Sequence, residues 1–407
     1  MGLVVQKFGG TSVANIEKIR NVANKAIREK NAGHDVIVVL SAMAGETNRL
    51  IDLAHSAAEL PDEREYDSLI STGEQVTITL LSIVLNSMGY RARSFLGFQV
   101  KILTDTAFKK ARISMIDTHA IEQELKKGSI VVVAGFQGVD EENNITTLGR
   151  GGSDTSAVAL AAALRAERCD IYTDVDGVYT TDPNICAKAR RLDKISYDEM
   201  LEMAMTGAKV LQPRSVEMAK KYDVPVYVKS SFTDEGGTLV TKEDKEMERE
   251  ILSGITYDRD QAKITVVHIP DKPGIAASLF TPLSERNISV DMIIQNASSK
   301  GYTDLTFTVS KKDMKEAQKC VEATAKDIGA QKVEVDDDVA KVSIIGVGMV
   351  SHSGVAAKMF KTMADESINI LMISTSEIKI SCVIQRKYTE LAITVLHDAF
   401  QLEKKHK

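Results

Sequence analysis

The chain has 407 residues, enough for two or three domains. With 43% hydrophobic and 27% charged residues, its composition is that of a folded globular protein and excludes a disordered chain. Fifty-one basic and 57 acidic side chains give a formal net charge of −6, which argues against sequence-independent binding of nucleic acid. The apolar runs are shorter than a membrane span and the chain opens directly into a strand-like segment. We therefore expect a cytoplasmic protein with no leader peptide and no membrane partner.

The four cysteines lie far apart and form no C-x-x-C pair. In a chain of this length that pattern is typical of reduced, buried thiols rather than of disulfides. The seven histidines are scattered as well, without the ligand spacing of a zinc site. The sequence therefore predicts no dedicated metal site made of protein side chains.

Short β-branched runs alternate with longer amphipathic segments over the first 240 residues. This alternation predicts a mostly parallel sheet covered by helices on both faces, and therefore one α/β domain over residues 1–240. The predicted strands are Leu3–Gln6, Val36–Leu40, Ile130–Ala134, Asp170–Thr173 and Val224–Val228. The predicted helices are Ile16–Glu29, Tyr66–Met88, Thr155–Ala166, Ser196–Ala204 and Arg214–Lys221. The charge-dense stretch 241–250 is predicted to be a solvated linker.

The rest of the chain contains an internal repeat. Aligning Gly274 with Gly354 superposes Phe280 on Phe360, and each copy has the pattern strand, glycine-bearing loop, helix, strand, strand, helix. This order predicts two ferredoxin-like β-α-β-β-α-β units. The predicted elements are Ile264–Ile269, Ser278–Glu285, Ser289–Ile294 and Asp304–Val309 in the first copy, and Val342–Val347, Ala357–Asp365, Asn369–Ser374, Lys379–Ile384 and Thr389–Phe400 in the second.

The second copy lacks a fourth strand of its own, because its last helix runs into the charged terminus. A spare strand-like segment, Ile251–Tyr257, precedes the first copy. We predict that this segment completes the sheet of the second copy, with the first copy nested between. The first unit would then cover 263–336, and the second would cover 251–262 together with 337–407.

A first candidate site lies at Val4–Ser12, where a strand runs into two glycines and hydroxyl residues before a helix. Glycines let main-chain N–H groups approach phosphate oxygens, and the positive end of a helix dipole adds to that attraction. Lys7 could neutralise charge on a transferring phosphoryl group. A tight turn with a surface lysine remains the alternative, and the order of residues is not that of a Walker A loop.

A second candidate site is Thr147–Ser156, in which three glycines surround Arg150 ahead of a helix. Arginine is a planar, bidentate donor suited to carboxylates, so the motif favours binding of a small anion. Ser153 and Asp154 could instead only cap the helix.

A third candidate site is Tyr172–Pro183, in which acidic residues and a glycine turn follow a strand. Ligands bind at such strand ends in open α/β sheets, although a polar turn explains the residues equally well. Smaller signals stand at Ser41–Met43, Ser71–Glu74 and Gly207–Lys209. Together these turns describe one cleft for anionic ligands.

These motifs, in this order, resemble those of monofunctional aspartate kinases. The segments VQKFGGTS, STGEQ, TTLGRGGSDTSA and YTDVDGVYTTDP carry the resemblance, and the repeat looks like the paired ACT regulatory domains of those enzymes. The family is part of the amino-acid kinase group, which implies an αβα sandwich. Related acetylglutamate, glutamate and uridylate kinases share that fold with other signatures. We expect no fused homoserine dehydrogenase.

The resemblance implies transfer of the γ-phosphoryl group of ATP, with Mg2+, to the side chain of L-aspartate. The product would be 4-phospho-L-aspartate, at the first step towards lysine, threonine and methionine. It implies Lys7 and Asp154 as catalytic residues. It implies substrate contacts at Ser41, Thr47, Glu74, Arg150, Gly151, Gly152 and Ser153. It implies ATP contacts at Lys7, Phe8, Gly9, Gly10, Thr173, Asp174, Tyr179, Thr180, Asp182, Pro183 and Lys209.

The resemblance also gives the repeat a role, because ACT units bind amino-acid effectors at their interfaces. The expected effector is lysine, alone or together with threonine, acting on a homodimer or higher homo-oligomer. The implied effector contacts are Asp271, Gly274, Ile275, Ala276, Ser289, Val290, Asp291, Gln295 and Asn296 in the first copy, and Asn369, Ile370, Thr375, Ser376 and Glu377 in the second.

Two other functions remain open. A kinase of the same fold could act on a different small carboxylate, although Arg150 and Glu74 both suit an α-amino acid. The chain could also be a catalytically inactive amino-acid sensor, although a sensor has no use for Lys7 and Asp154.

Overall fold

The computed structural model describes residues 2–234, 236–244, 247, 250–296 and 301–405. Two compact units divide the chain. The N-terminal unit comprises the described residues among 1–179, 191–205 and 209–247, and the C-terminal unit comprises those among 180–190, 206–208 and 248–407. The C-terminal unit therefore includes two short segments from within the first 240 residues.

The N-terminal unit has twelve strands and eight α-helices among its described residues. Its first half contains β1 (Leu3–Phe8), α1 (Ile16–Asn31), β2 (Asp35–Leu40), α2 (Glu46–Ala57), α3 (Glu63–Ile70), α4 (Thr72–Ser87), β3 (Ala92–Phe95), β4 (Ile102–Thr104), β5 (Ile113–Ile116) and α5 (His119–Lys126). Its second half contains β6 (Ile130–Ala134), β7 (Gln137–Val139), β8 (Ile145–Thr147), α6 (Gly152–Ala163), β9 (Arg168–Thr173), β10 (Lys194–Ser196), α7 (Tyr197–Met205), α8 (Pro213–Tyr222), β11 (Val226–Ser230) and β12 (Thr238–Thr241).

An eight-stranded sheet in the order β10-β12-β11-β9-β1-β2-β6-β3 forms the core of this unit. All neighbours run parallel except β11 and β12. The central strands are buried on both faces, as a parallel sheet covered by helices requires. Apolar residues of α1 and α4 pack on one face, and α6 lies against β1. The predicted mostly parallel αβα architecture is confirmed.

The predicted helix Tyr66–Met88 is wrong in one respect, because it is two helices, α3 and α4. The hydroxyls of Ser71 and Thr72 donate to the main-chain oxygens of Ser68 and Leu69, which competes with continuous helical bonding at that point. The stretch Glu63–Ser87 has the length and hydropathy of a possible membrane span, but 56% of its most apolar window is buried inside the fold. Packing of α4 against the sheet accounts for its apolar character.

A second, four-stranded sheet in the order β5-β4-β7-β8 was not predicted from the sequence. Its strands have only three or four residues each, too few to show a periodic pattern. The last of them, β8, leads through residues 148–151 into α6. This sheet therefore carries the loop that holds Arg150.

The C-terminal unit contains one six-stranded antiparallel sheet in the order β14-β15-β13-β16-β18-β17, with a core of its own beneath each half of the repeat. Its elements are β13 (Gly254–Pro270), α9 (Ile275–Glu285), β14 (Val290–Gln295), β15 (Tyr302–Ser310), α10 (Met314–Asp327), β16 (Lys332–Ile345), α11 (Val355–Asp365), β17 (Ile370–Thr375), β18 (Lys379–Gln385) and α12 (Thr389–Ala399). The predicted pair of ferredoxin-like units is confirmed.

The 17-residue strand β13 joins both halves of this sheet. Its first residues, Gly254–Asp258, pair with Lys341–Ile345 of the second copy, and Ile264–Val267 pair with Lys332–Val335. The two strands predicted at Ile251–Tyr257 and Ile264–Ile269 are thus one continuous strand. Of the predicted linker, Thr241 belongs to β12, and residues 245, 246, 248 and 249 lie outside the described residues.

Residues 180–190, here called the guest segment, pack on the second copy of the repeat. Cys186 lies in that copy's core, and the hydroxyl of Thr180 is 3.0 Å from Nε2 of His397. The hydroxyl of Tyr257 donates to Asp182 at 2.9 Å. The C-terminal unit therefore contains residues that precede the repeat by more than sixty positions in the printed sequence.

Candidate active site

An ion pair between Lys7 and Asp154 lies at the carboxyl end of β1. The distance from Nζ to Oδ1 is 2.6 Å, and the two side chains are only 12% and 10% exposed. Lys7 is placed there by β1, and Asp154 by the first turn of α6, where the helix dipole stabilises a carboxylate. Partial burial removes competing water, so the pair holds the ammonium group in one position.

The glycine loop after β1 lies directly against the loop after β2. A Cβ atom on Gly10 would come within 2.8 Å of the main-chain oxygen of Ala42, so only glycine fits at this position. The N–H of Ser41 donates to the oxygen of Phe8 at 3.2 Å, which joins the two strand ends. Main chain and not side chain therefore lines this edge of the sheet, as a phosphate site requires.

Three polar residues from separate segments meet beside this loop. The hydroxyls of Ser41 and Ser153 are hydrogen-bonded at 2.9 Å, and Oε1 of Glu74 accepts the N–H of Ala42 at 3.0 Å. Glu74 is 2% exposed, and its other oxygen, Oε2, has no hydrogen-bond partner among the described residues. Burial raises the pKa of Glu74 to about 8. A cationic ligand group at Oε2 would satisfy this carboxyl group.

Arg150 stands in the loop between β8 and α6. Its side chain is exposed, and no hydrogen bond or ion pair of its guanidinium group occurs within the described parts of the chain. Gly151 and Gly152 follow it and open α6, while Thr47 lies half-buried near the start of α2. Arg150 is therefore a cation that is available to an anionic ligand.

The predicted nucleotide contacts of the N-terminal unit follow β1 and β9. The N–H of Gly9 donates to the oxygen of Tyr172 at 3.4 Å, which brings the ends of these two strands together. Thr173 ends β9 and donates to Asp174 at 3.0 Å, and the hydroxyl of Tyr179 donates to Asp176 at 2.9 Å. The side chain of Lys209 is exposed.

Two predicted nucleotide contacts need correction, because their side chains point elsewhere. Phe8 is fully buried and stacks on Tyr172 with ring centroids 4.5 Å apart. Thr180 is also fully buried, and its hydroxyl faces His397 and the N–H of Arg190. Neither side chain can contact a nucleotide in this arrangement. Thr180, Asp182 and Pro183 all lie in the guest segment of the C-terminal unit.

The chain matches two family models. The Amino acid kinase family model matches residues 2–230, and the ACT domain model matches 264–324 and 342–400. An aspartate kinase of Pseudomonas fluorescens is 58% identical over 406 residues, which cover 99% of this chain and 98% of that one. The chain belongs to the aspartate kinase family. It is a kinase enzyme, as predicted from its motifs.

Solved structures of this kinase family agree with the fold. Aspartokinase III of Escherichia coli in complex with aspartate and ADP is 29% identical, with a TM-score of 0.81 over 98% of this chain and 99% of that one. The same protein in complex with lysine and aspartate gives a TM-score of 0.76 at the same identity and coverage. That protein binds aspartate and ADP in its R state, and lysine and aspartate in its T state.

The predicted effector residues of the kinase's first ACT copy lie at two ends of the sheet. Asp271, Gly274, Ile275 and Ala276 follow the end of β13, and Gln295 and Asn296 stand at the end of β14, beside the start of β15. Val290 and Asp291 begin β14 at the opposite end, and Ser289 directly precedes them. The carboxylate of Asp291 accepts a hydrogen bond from Lys341, a buried residue of β16.

The second ACT copy shows the same separation. Asn369 and Ile370 stand at the start of β17, near the end of β18. Thr375, Ser376 and Glu377 form the turn from β17 to β18, and the N–H of Ser376 donates to Lys379 at 2.8 Å. Within one chain, the residues of each group therefore lie together, but the two groups of each copy lie at opposite ends of the sheet.

Asp67, Gln212 and Arg214 contact the Arg150 loop but were not singled out in the sequence. Asp67 accepts hydrogen bonds from Thr147, Arg214 donates to the main-chain oxygen of Leu148, and Gln212 donates to that of Arg150. Their bonds to the main chain of this loop leave no recognisable motif. The one feature of the sequence that could have indicated a role for any of them is that Asp67 lies on the same predicted helix as Glu74.

Proposed function

We propose that this kinase transfers the γ-phosphoryl group of ATP to the side-chain carboxylate of L-aspartate, forming 4-phospho-L-aspartate. The observation that carries the proposal is the Lys7–Asp154 pair, 2.6 Å apart, beside the glycine loop at the carboxyl end of β1. The aspartate and ADP bound by the E. coli relative support the same substrates.

The chemistry requires no general base. An aspartate side chain with an ordinary pKa near 3.9 is already ionised at neutral pH. Catalysis must instead bring two anions together and stabilise the charge that spreads over the phosphoryl oxygens. Lys7 is the residue for that task, because its ammonium group stands at the glycine loop. Asp154 orients the ammonium group through their ion pair.

Recognition of aspartate uses Arg150 and Glu74, whose side chains keep unused hydrogen-bonding capacity among the described residues. Arg150 pairs with the α-carboxylate as a bidentate donor, and Oε2 of Glu74 accepts the α-ammonium group. Because the pKa of Glu74 is raised to about 8, binding of the ammonium group at neutral pH releases its proton. Further contacts come from Ser41, Thr47, Gly151, Gly152 and Ser153.

ATP enters this reaction as its magnesium complex. Magnesium binds through phosphate oxygens with one or two carboxylates and several waters, so it needs no dedicated protein cage. The described residues contain no group of three His, Cys, Asp or Glu side chains that could form one. The proposed nucleotide contacts are Lys7, Thr173, Asp174, Tyr179, Asp182, Pro183 and Lys209, and the main chain of Gly9 and Gly10.

We further propose that lysine, alone or with threonine, binds the ACT copies and inhibits the kinase as a homo-oligomer. The lysine complex of the E. coli relative supports this effector. An effector acts by favouring one of two conformations, so its site and the active site are coupled. The separation of the effector residues within one chain fits a site completed by a second copy.

The proposed functional division follows the sequence. Residues 1–240 form the catalytic domain and 241–250 the linker; 263–336 form the first ACT domain, and 251–262 with 337–407 form the second. The enzyme would act in the cytoplasm at the first step towards lysine, threonine and methionine.

Trapping the acyl phosphate with hydroxylamine tests the reaction directly. Purified protein with ATP, magnesium and L-aspartate should give the hydroxamate, and glutamate or N-acetylated amino acids should not. The Lys7→Ala variant should lose turnover by about a thousandfold or more while lysine binding persists. A signal with another carboxylate would identify a different kinase. Lysine binding without any hydroxamate would identify an amino-acid sensor.

A further inference from the structure

The loop that carries Arg150 is confined from two sides by main-chain and side-chain atoms. Gly149 and Gly151 both adopt positive φ, at 77° and 70°. A Cβ atom on Gly149 would come within 2.9 Å of the oxygen of Lys109, and one on Gly151 within 2.9 Å of Cβ of Gln212. The main chain of the loop is thus tightly packed, although the Arg150 side chain itself is exposed. The neighbours of the loop therefore fix the position of the Arg150 main chain.

Arg214, in the first turn of α8, joins two segments at the base of this loop. Its Nη1 donates to the oxygen of Leu148 at 2.7 Å, and its Nη2 donates to the oxygen of Ala111 at 2.8 Å. A guanidinium group offers two donors in a fixed planar fork, which a lysine cannot reproduce. Nη1 and Nη2 each donate to the main chain, so Arg214 ties the loop to segment 109–111.

Asp67 joins the same two segments at a neighbouring point. Its buried carboxylate accepts the N–H of Thr147 at 2.7 Å and the N–H of Lys109 at 2.9 Å, and also the hydroxyl of Thr147 at 2.8 Å. The N–H of Ala111 donates to the oxygen of Thr147 at 2.9 Å between these anchors. Two charged side chains therefore clamp segment 109–111 to segment 147–148, immediately before Arg150.

We propose that Arg214 is a positioning residue for Arg150 and thereby sets the affinity for the α-carboxylate of the amino-acid substrate. The inference rests on the proposed function, in which Arg150 binds that carboxylate. A long, exposed arginine binds a carboxylate more tightly when its main chain is already held in place before the ligand arrives, because less ordering is then required on binding. Arg214 supplies that fixed point by holding Leu148, two residues before Arg150, and Asp67 supplies a second one at Thr147.

Steady-state kinetics of Arg214→Met and Arg214→Lys test the proposal. Both variants should raise KM for aspartate by about tenfold or more, because they break charge-assisted bonds to the loop, while KM for ATP stays within about twofold. Guanidinium ion added to Arg214→Ala should restore aspartate affinity in part, and ammonium ion should not. Arg286→Met is the matched control, since Arg286 also donates to a main-chain oxygen but lies in the C-terminal unit.

Three results would overturn the inference. One is an unchanged KM for aspartate in Arg214→Met. Another is that KM for aspartate and KM for ATP rise by the same factor while kcat and the melting temperature fall, and guanidinium ion restores nothing. That result would mean general destabilisation. The third is full additivity of Arg150→Met and Arg214→Met, because a residue that acts through Arg150 loses its effect once that side chain is gone. Arg150→Met alone tests the proposed function separately, since a normal KM for aspartate there contradicts the assigned role of Arg150 whatever Arg214 does.

Discussion

The two copies of the repeat have the same elements but differ at the outer surface of their last helix. In α10, Ala317 and Val321 face the first core, and the next residue, Glu322, is exposed. In α12, Ala392 and Leu396 face the second core in the same way, but the next residue, His397, is fully buried. The guest segment covers this helix, and it covers no part of the first copy's core.

This difference shows that duplicated folds can take on different tasks without a change of topology. The second copy contributes side chains to hold a segment that carries Asp182 and Pro183, two of the proposed nucleotide contacts. The first copy leaves the matching helix surface to solvent. Among the described residues, the guest segment thus packs on the core of the second copy and not on that of the first.

The largest expected effect on stability comes from giving His397 of the second copy the residue type of Glu322 in the first. His397→Glu should destabilise the C-terminal unit by about 3 kcal/mol, because it buries a carboxylate beside the hydroxyl of Thr180, and the nearby cations of Lys188 and Arg190 offset only part of that cost. Calorimetry should show the midpoint of that unit lowered by about 6 °C or more.

The reciprocal substitution is the matched control. Glu322→His lies on the exposed helix face and should change stability by no more than about 0.5 kcal/mol. Equal effects of the two substitutions would mean that the guest segment does not cover α12 in solution.

The next largest effect is a pH dependence of stability that arises from His397 in the second copy. Burial lowers the pKa of His397, although the nearby carboxylates of Asp398 and Glu403 act in the opposite direction. The unfolded chain therefore binds a proton below about pH 6.5 while folded His397 stays neutral. Stability is fully present above that pH and is lost as pH falls towards the folded pKa. His397→Gln should flatten this part of the stability profile, and a profile with the same slope in that variant would contradict the assignment.

The smallest expected effect concerns the hydrogen bond from Tyr257 to Asp182. Tyr257→Phe should cost about 1 kcal/mol and raise KM for ATP severalfold, with KM for aspartate unchanged, because Asp182, a proposed ATP contact, loses the donor to its Oδ2 and keeps only the bonds from Asn184 to its Oδ1. Thr265→Val removes a hydroxyl pair with Thr306 in the first copy and is the control. A rise in KM for ATP in the control as large as in Tyr257→Phe would show that the two copies are equivalent in this respect.

Strong periodic patterns explain what could be predicted from the sequence. The buried strands β2 and β6 and the repeated ferredoxin-like pattern are determined by local runs of residues, which a single sequence displays directly. The candidate residues Lys7 and Asp154 each lie in a glycine-rich motif, and the structure brings them within 2.6 Å.

Long-range contacts to the main chain explain what could not be predicted. Asp67 bonds to a main-chain group 80 residues away, and Arg214 to one 66 residues away, so neither contact leaves a pattern of paired side chains. The burial of Thr180 likewise depends on His397, 217 residues further along the chain. The strands of the four-stranded sheet are too short to be periodic, and their pairing depends on the rest of the fold.

The shared strand β13 determines how the C-terminal unit can be divided. Its first residues are a strand of one copy and its last residues are a strand of the other, within one uninterrupted stretch of main chain. A deletion that removed the first copy, residues 263–336, would therefore cut through both β13 and β16, the two long strands that pair with each other in both copies. The two copies are separate repeats in the sequence, but the shared strands β13 and β16 join them in one continuous sheet.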